Sequence, residues 1–161
     1  MKKSIKTIIA LISASLMALS LIACTNIEKQ NALNDYAQSI KQDVVYWEAA
    51  QMTADSVKTN DAREYASAMT TMSGYLDKVI TNAETRNSQI TDPEIKDIDD
   101  SYIQFTKDMK DAYDSMAAGL NAQDQAKMDK GMAQLESSLN NMQAYVTKLK
   151  DFTEKDEIKS N

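Results

Sequence analysis

The chain has 161 residues, with 24 acidic side chains against 18 basic ones, a formal charge of −6, no histidine, one cysteine, one proline and three glycines. This inventory withholds the commonest general base and metal ligand, any Gly-rich phosphate loop and any internal disulfide. The negative charge opposes contact with phosphate backbones and anionic lipid headgroups, so no nucleic-acid partner is expected.

The chain opens with Lys2, Lys3 and Lys6, followed by the uncharged run "IIALISASLMALSLIA" from Ile8 to Ala23. A basic start and an apolar stretch form a secretory signal peptide. The run is shorter than the roughly 20 residues of a comfortable membrane span, which makes a permanent transmembrane helix the weaker reading. Leu21, Ile22, Ala23 and Cys24 resemble the lipobox of bacterial lipoproteins: a branched apolar residue, a small or apolar one, a small one, then the cysteine. The resemblance covers the first 24 residues only. It implies that Cys24 is acylated and becomes the mature N-terminus, anchoring the protein to a cell membrane on its extracytoplasmic face. The alternative is that Cys24 is an inert apolar residue closing an anchor. On the lipoprotein reading, residues 1–23 are the signal peptide and 24–161 a single helical domain of 138 residues. Cleavage removes three basic residues and no acidic ones, moving the charge from −6 to −9. Thr25 and Glu28 have capping-box spacing, so helix begins almost at the anchor.

Helix formers and capping types dominate the rest. The first stripe is Leu33, Tyr36, Ile40, Val44, Trp47, Ala54 and Val57, and the second is Tyr65, Met69, Met72, Leu76, Val79 and Ala83. The third is Ile95, Ile98, Tyr102, Phe105, Met109, Ala112 and Met116, a seven-residue repeat over three heptads. The fourth is Met128, Met132, Leu135, Leu139, Met142, Val146, Leu149 and Phe152. Asp92 and Pro93 mark a helix start. Gly119 suits a helix end, with Asn121 capping the next. Asp61 with Glu64 suggests a start, although no Gly or Pro stops the preceding helix, and one continuous helix over 28–88 is the competing reading. The expectation is an all-α protein, an antiparallel up-down-up-down four-helix bundle with helices near 26–59, 61–88, 93–119 and 122–154. The charged end "EKDEIKSN" lacks a stripe and is expected to fray. Counting residues through the turns places Trp47 beside Gly74, in a layer with Phe105, Gly131 and Met132.

The chemistry of the domain points away from catalysis. With Cys24 acylated no thiol nucleophile remains, and Glu-x-x-His di-iron sites cannot form. No enzyme activity, cofactor or metal is expected. The acidic run Asp92, Glu94, Asp97, Asp99 and Asp100 reads as a solvated helix start rather than a calcium loop, which needs ligands at alternate positions and a turn glycine. Methionine is frequent, and soft thioethers on an exported protein suit Cu(I), yet most of these residues lie on the stripes and read as core filler. Tyr46, Trp47, Ile80, Ile103 and Tyr113 are the candidate interface residues, against the reading that a wide stripe buries such positions. The expected role is non-catalytic contact with an extracytoplasmic protein, as an immunity or exclusion protein, an envelope-complex accessory or a sensor-like module. The rival is a small-ligand or metal binder using the Met- and Tyr-lined interior.

Overall fold

The computed structural model describes residues 27–58 and 61–154. The expected signal peptide, the expected lipobox with Cys24, the expected Thr25 cap and the tail from residue 155 lie outside the described residues. The fold is all-helical, a bundle of five helices with no strand among the described residues: α1 Ile27–Ser39, α2 Lys41–Ser56, α3 Ala62–Asn87, α4 Pro93–Ala122 and α5 Gln125–Glu154. No described helix is long and apolar enough to cross a membrane.

The first predicted helix is two helices. Ser39 Oγ donates to the Tyr36 carbonyl at 2.6 Å, and Asp43 N bonds the Ile40 carbonyl three residues back at 3.0 Å. A hydroxyl taking a backbone acceptor, followed by a tighter turn, bends a helix without Gly or Pro. The bend rephases the buried face, which runs Leu33, Tyr36, Ile40, Asp43, Trp47, Ala50, while Val44 is only half-buried. α2 ends at Ser56, Val57 is extended, and Asp61 caps α3 by accepting from Arg63 N at 2.8 Å. The continuous helix over 28–88 is therefore excluded.

Asp92 caps α4 through Glu94 N at 2.8 Å and Ile95 N at 3.0 Å, with Pro93 in the first turn where its missing N–H costs nothing. All seven stripe residues of α4 are buried. The far end differs from expectation. The helix continues past Gly119 to Ala122, and Gln123, at φ 53°, is the left-handed residue that ends it. Asp124 N returns to the Gly119 carbonyl at 2.8 Å, closing the turn. Asp124, not Asn121, accepts a free N–H of the first turn of α5, from Lys127 at 3.2 Å.

The buried face of α5 is also rotated from the predicted stripe. Gly131, Ser138, Met142, Tyr145, Leu149 and Phe152 are buried, Leu135, Leu139 and Val146 half-buried, and Met132 is 50% exposed. Small residues on this face bring α5 onto α4: Ser138 Oγ donates to the Phe105 carbonyl at 2.9 Å, and a Cβ on Gly131 would lie 2.9 Å from both Ala112 O and Met116 N. Pairs across this seam are Asp97 with Lys148, Asp108 with Asn141 and Ser115 with Gln134, so numbers fall on one helix as they rise on the other. The Trp47–Gly74 contact does not form. Trp47 stacks on Phe105 at 6.0 Å, whereas Gly74 is exposed and a Cβ there would meet nothing within 4 Å.

The two glycines should respond oppositely to alanine. Gly74→Ala should stabilise by about 0.5–1 kcal/mol through helix propensity alone. Gly131→Ala should destabilise by about 1–3 kcal/mol, because backbone atoms of α4 must move. Denaturant midpoints of the two variants check the signs.

Candidate functional site

Three charged residues occupy core positions. On α3 the buried series Met69, Met72, Leu76, Val79, Ala83 continues in phase to Arg86, which is 8% exposed. Asp43 of α2 falls between Ile40 and Trp47, and Asp99 of α4 between Ile95 and Tyr102, both with no exposure. Arg86 Nη1 donates to Asp43 Oδ2 at 2.8 Å, while Nε and Nη2 donate to Asp99 Oδ1 at 3.0 and 2.7 Å. Asn82 Nδ2 reaches Asp43 Oδ1 at 3.2 Å. The guanidinium also lies over the rings of Tyr36 and Tyr102, at 5.6 and 5.3 Å.

The electrostatics follow from one base serving two acids. Burial pushes the Asp43 and Asp99 carboxyls above the usual aspartate range, and the attraction of Arg86 only partly offsets it. Burial alone would weaken the hold of Arg86 on its proton, but Asp99 and Asp43 reverse that and raise it. Desolvation also lifts the tyrosine hydroxyls of Tyr36, Tyr102 and Tyr145. Beside the triad stand Trp47, Tyr102, Phe105 and Tyr145, with neighbouring rings 5.2 to 6.0 Å apart. Trp47 Nε1 donates to the Tyr102 hydroxyl at 3.0 Å. The Tyr36 and Tyr145 hydroxyls and Asp99 Oδ2 lie near one another but outside hydrogen-bond geometry.

A cleft of about 310 Å³ adjoins this cluster, lined by Tyr36 and Arg86 together with Asp35, Ser39, Gln89 and Asp92. Ala32, Ile90 and Ile95 complete the lining, so two carboxylates share the cleft with one guanidinium and an apolar wall. Among the described residues no group of three or more His, Cys, Asp or Glu side chains converges to hold a metal ion.

The candidate residues from sequence fall elsewhere. Trp47 and Tyr113 are buried, and Tyr46, Ile80 and Ile103 half-buried. These five form no common exposed patch. The exposed large apolar residues among those described are Val45, Met52 and Met132. The acidic run is not uniformly solvated: Asp99 is buried on Arg86, Asp97 binds Lys148 at 2.8 Å and Asp100 accepts from Asn87 at 2.9 Å. The signal for two of the three was heptad phase: Arg86 continues the α3 series after Val79 and Ala83, and Asp43 stands between Ile40 and Trp47, whereas Asp99 adjoins the stripe residue Ile98. No family model, curated protein or solved structure matches the chain.

Arg86→Ala should cost about 3–5 kcal/mol, since it leaves two buried carboxylates facing each other. The pH dependence has the opposite sign to that of an ordinary salt bridge. Because the folded pKa values of Asp43 and Asp99 exceed 3.8, their contribution is complete below that value and is lost as pH rises through the folded ones. Asp99→Asn keeps an oxygen for Arg86 and removes the excess charge. Its stability relative to wild type should therefore increase between about pH 4 and about pH 8, read from urea midpoints at both.

Proposed function

We propose that the chain is a lipid-anchored protein of the bacterial cell membrane that acts outside the cytoplasm, without catalysis, through contacts with another protein. The observation that carries this reading is the order of Lys2, Lys3 and Lys6, the apolar run and Leu21–Cys24. The domain is read as four rods, with α1 and α2 forming the first, in an antiparallel up-down-up-down bundle. Ion pairs of Glu84 with Lys107 and Asp77 with Lys110 between α3 and α4, and the pairs of Asp97 with Lys148 and Asp108 with Asn141 between α4 and α5, support that reading. Because α1 begins at Ile27, three residues after Cys24, the bundle stands close to its anchor. Val45 and Met52, seven residues apart on α2 and 62% and 73% exposed, offer a contact face in place of the buried Trp47 and Tyr113.

Cys24→Ala should leave an uncleaved, unacylated precursor, seen as a larger species by mass spectrometry of the membrane fraction. Processing of the variant to the same mature N-terminus would refute the lipid anchor. A photo-cross-linker at position 52 should capture a defined envelope protein in intact cells, and one at the exposed position 77 should not.

The cleft favours a second reading, a small-molecule binder. Two carboxylates beside an apolar wall suit a small amphipathic organic cation, with Asp35 exposed and Tyr36 buried. Amines at millimolar concentration should then raise the melting temperature of the wild type and leave that of Asp35→Asn unchanged. Equal shifts in both proteins would dismiss the cleft.

A further inference from the structure

Away from the charge cluster, four methionines meet. Met69 of α3, Met116 of α4 and Met128 and Met132 of α5, with Leu120, line a cavity of about 10 Å³ whose wall carries no polar atom. The packing that assembles them is specific. The place a Cβ would take on Gly119 lies 2.7 Å from Met128 Cγ, and that on Gly131 lies 2.5 Å from Met116 Cγ. Two of the three glycines in the chain thus make room for two of the four methionines. Exposure is graded: Met69 and Met116 are buried, Met128 is half-buried, and Met132 is 50% exposed, so the cluster reaches solvent on the α5 side.

Filling alone does not account for this choice of residue. Burying a methionine costs more side-chain entropy than burying a leucine, and here two buried methionines and two partly exposed ones line one cavity. A cavity of this size has room for about one water-sized sphere, but a water needs two to four polar partners and the wall offers none. The side chains that line it are four methionines and one leucine. Thioethers are soft ligands that select Cu(I) and similar cations, while hard cations need the oxygen donors that are missing from this wall.

We infer that Met69, Met116, Met128 and Met132 form a binding site for one soft monovalent cation of the Cu(I) class. The site draws its ligands from three helices, and it is independent of both the lipid anchor and the acidic cleft. Entry is from the α5 side, past Met132. The chain's net negative charge favours a cation's approach.

The test uses the full chain in detergent, with methionine methyl groups labelled with carbon-13 and any free thiol alkylated. Ag(I) is the redox-inert probe, and Cu(I) under reductant follows. The methyl signals of Met69, Met116, Met128 and Met132, assigned by single Met→Leu changes, should move together and saturate at one equivalent. The signal of Met52, exposed and outside the cavity, should stay in place. Met128→Leu combined with Met132→Leu preserves volume, so metal-free melting should change little. That variant should lose the saturable shifts at Met69 and Met116. Even an indirect partner of a metal contributes roughly 10–100-fold to affinity, so losing two ligands should weaken binding by at least ~100-fold. Should the double variant fold poorly, Met132→Leu alone, at a half-exposed position, should still weaken binding by about tenfold or more. The inference is overturned if the four signals do not move at one equivalent, if Met52 moves with them, or if the leucine variants bind Ag(I) as tightly as wild type.

Discussion

The phases of three helices depend on one buried guanidinium. Arg86 reaches Asp43 on α2 and Asp99 on its own neighbour α4 from a position that is 8% exposed, and both carboxylates are fully enclosed. Taking three charges out of water is costly, and Coulomb attraction returns only part of that cost. The raised carboxyl values express the same imbalance, since they arise where desolvation exceeds attraction. The cluster is therefore a weak source of net stability and a strong source of selectivity. A rotation of α2 or α4 that separated either aspartate from Arg86 would leave a buried charge unpaired, a far larger penalty than a mismatched methyl group. The bend at Ile40 belongs to the same constraint, because it lets α1 present Tyr36 and α2 present Asp43 to one guanidinium.

Beside the charges the core is aromatic. The ring of Trp47 on α2 stacks on Phe105 of α4, and Phe105 and Tyr102 meet Tyr145 of α5. On the same α4–α5 seam Gly131 and Ser138 let backbone approach backbone closely. The Tyr36 and Tyr145 hydroxyls are buried without a hydrogen-bond partner.

How far the sequence could be read depended on which physical signal each feature used. The α4 stripe was legible in full because every buried position in it is apolar and its start carries both Asp92 and Pro93. The face of α5 was misphased because its packing relies on Gly131 and Ser138, residues an apolar count passes over, and on Tyr145 rather than Val146. Asp43, Arg86 and Asp99 were hidden by the assumption that charge faces water. The in-phase spacing of Asp43 and Arg86 with apolar neighbours was visible, but only a partner on another helix makes such a position affordable, and no pairing between helices can be read from one sequence. The Ile40 break had no marker of its own, since it rests on a serine hydroxyl reaching a carbonyl three residues back.

The charge cluster and the methionine cluster sit far apart on the same scaffold. From Asp99 to Met116 along α4 is 17 residues, which at 1.5 Å per residue separates them by about 25 Å. The acidic cleft adjoins α1, the helix that follows the proposed anchor, whereas the methionines gather at the turn between α4 and α5, where Gly119 and Gln123 shape the chain. On the anchored reading, the rigid, charge-fixed end faces the membrane and the soft, adaptable end projects away from it. Helix phase is enforced at the first end by the penalty for stranding a charge. At the second, close packing of small residues against flexible thioethers leaves a cavity that a single soft ion can enter without any helix having to turn.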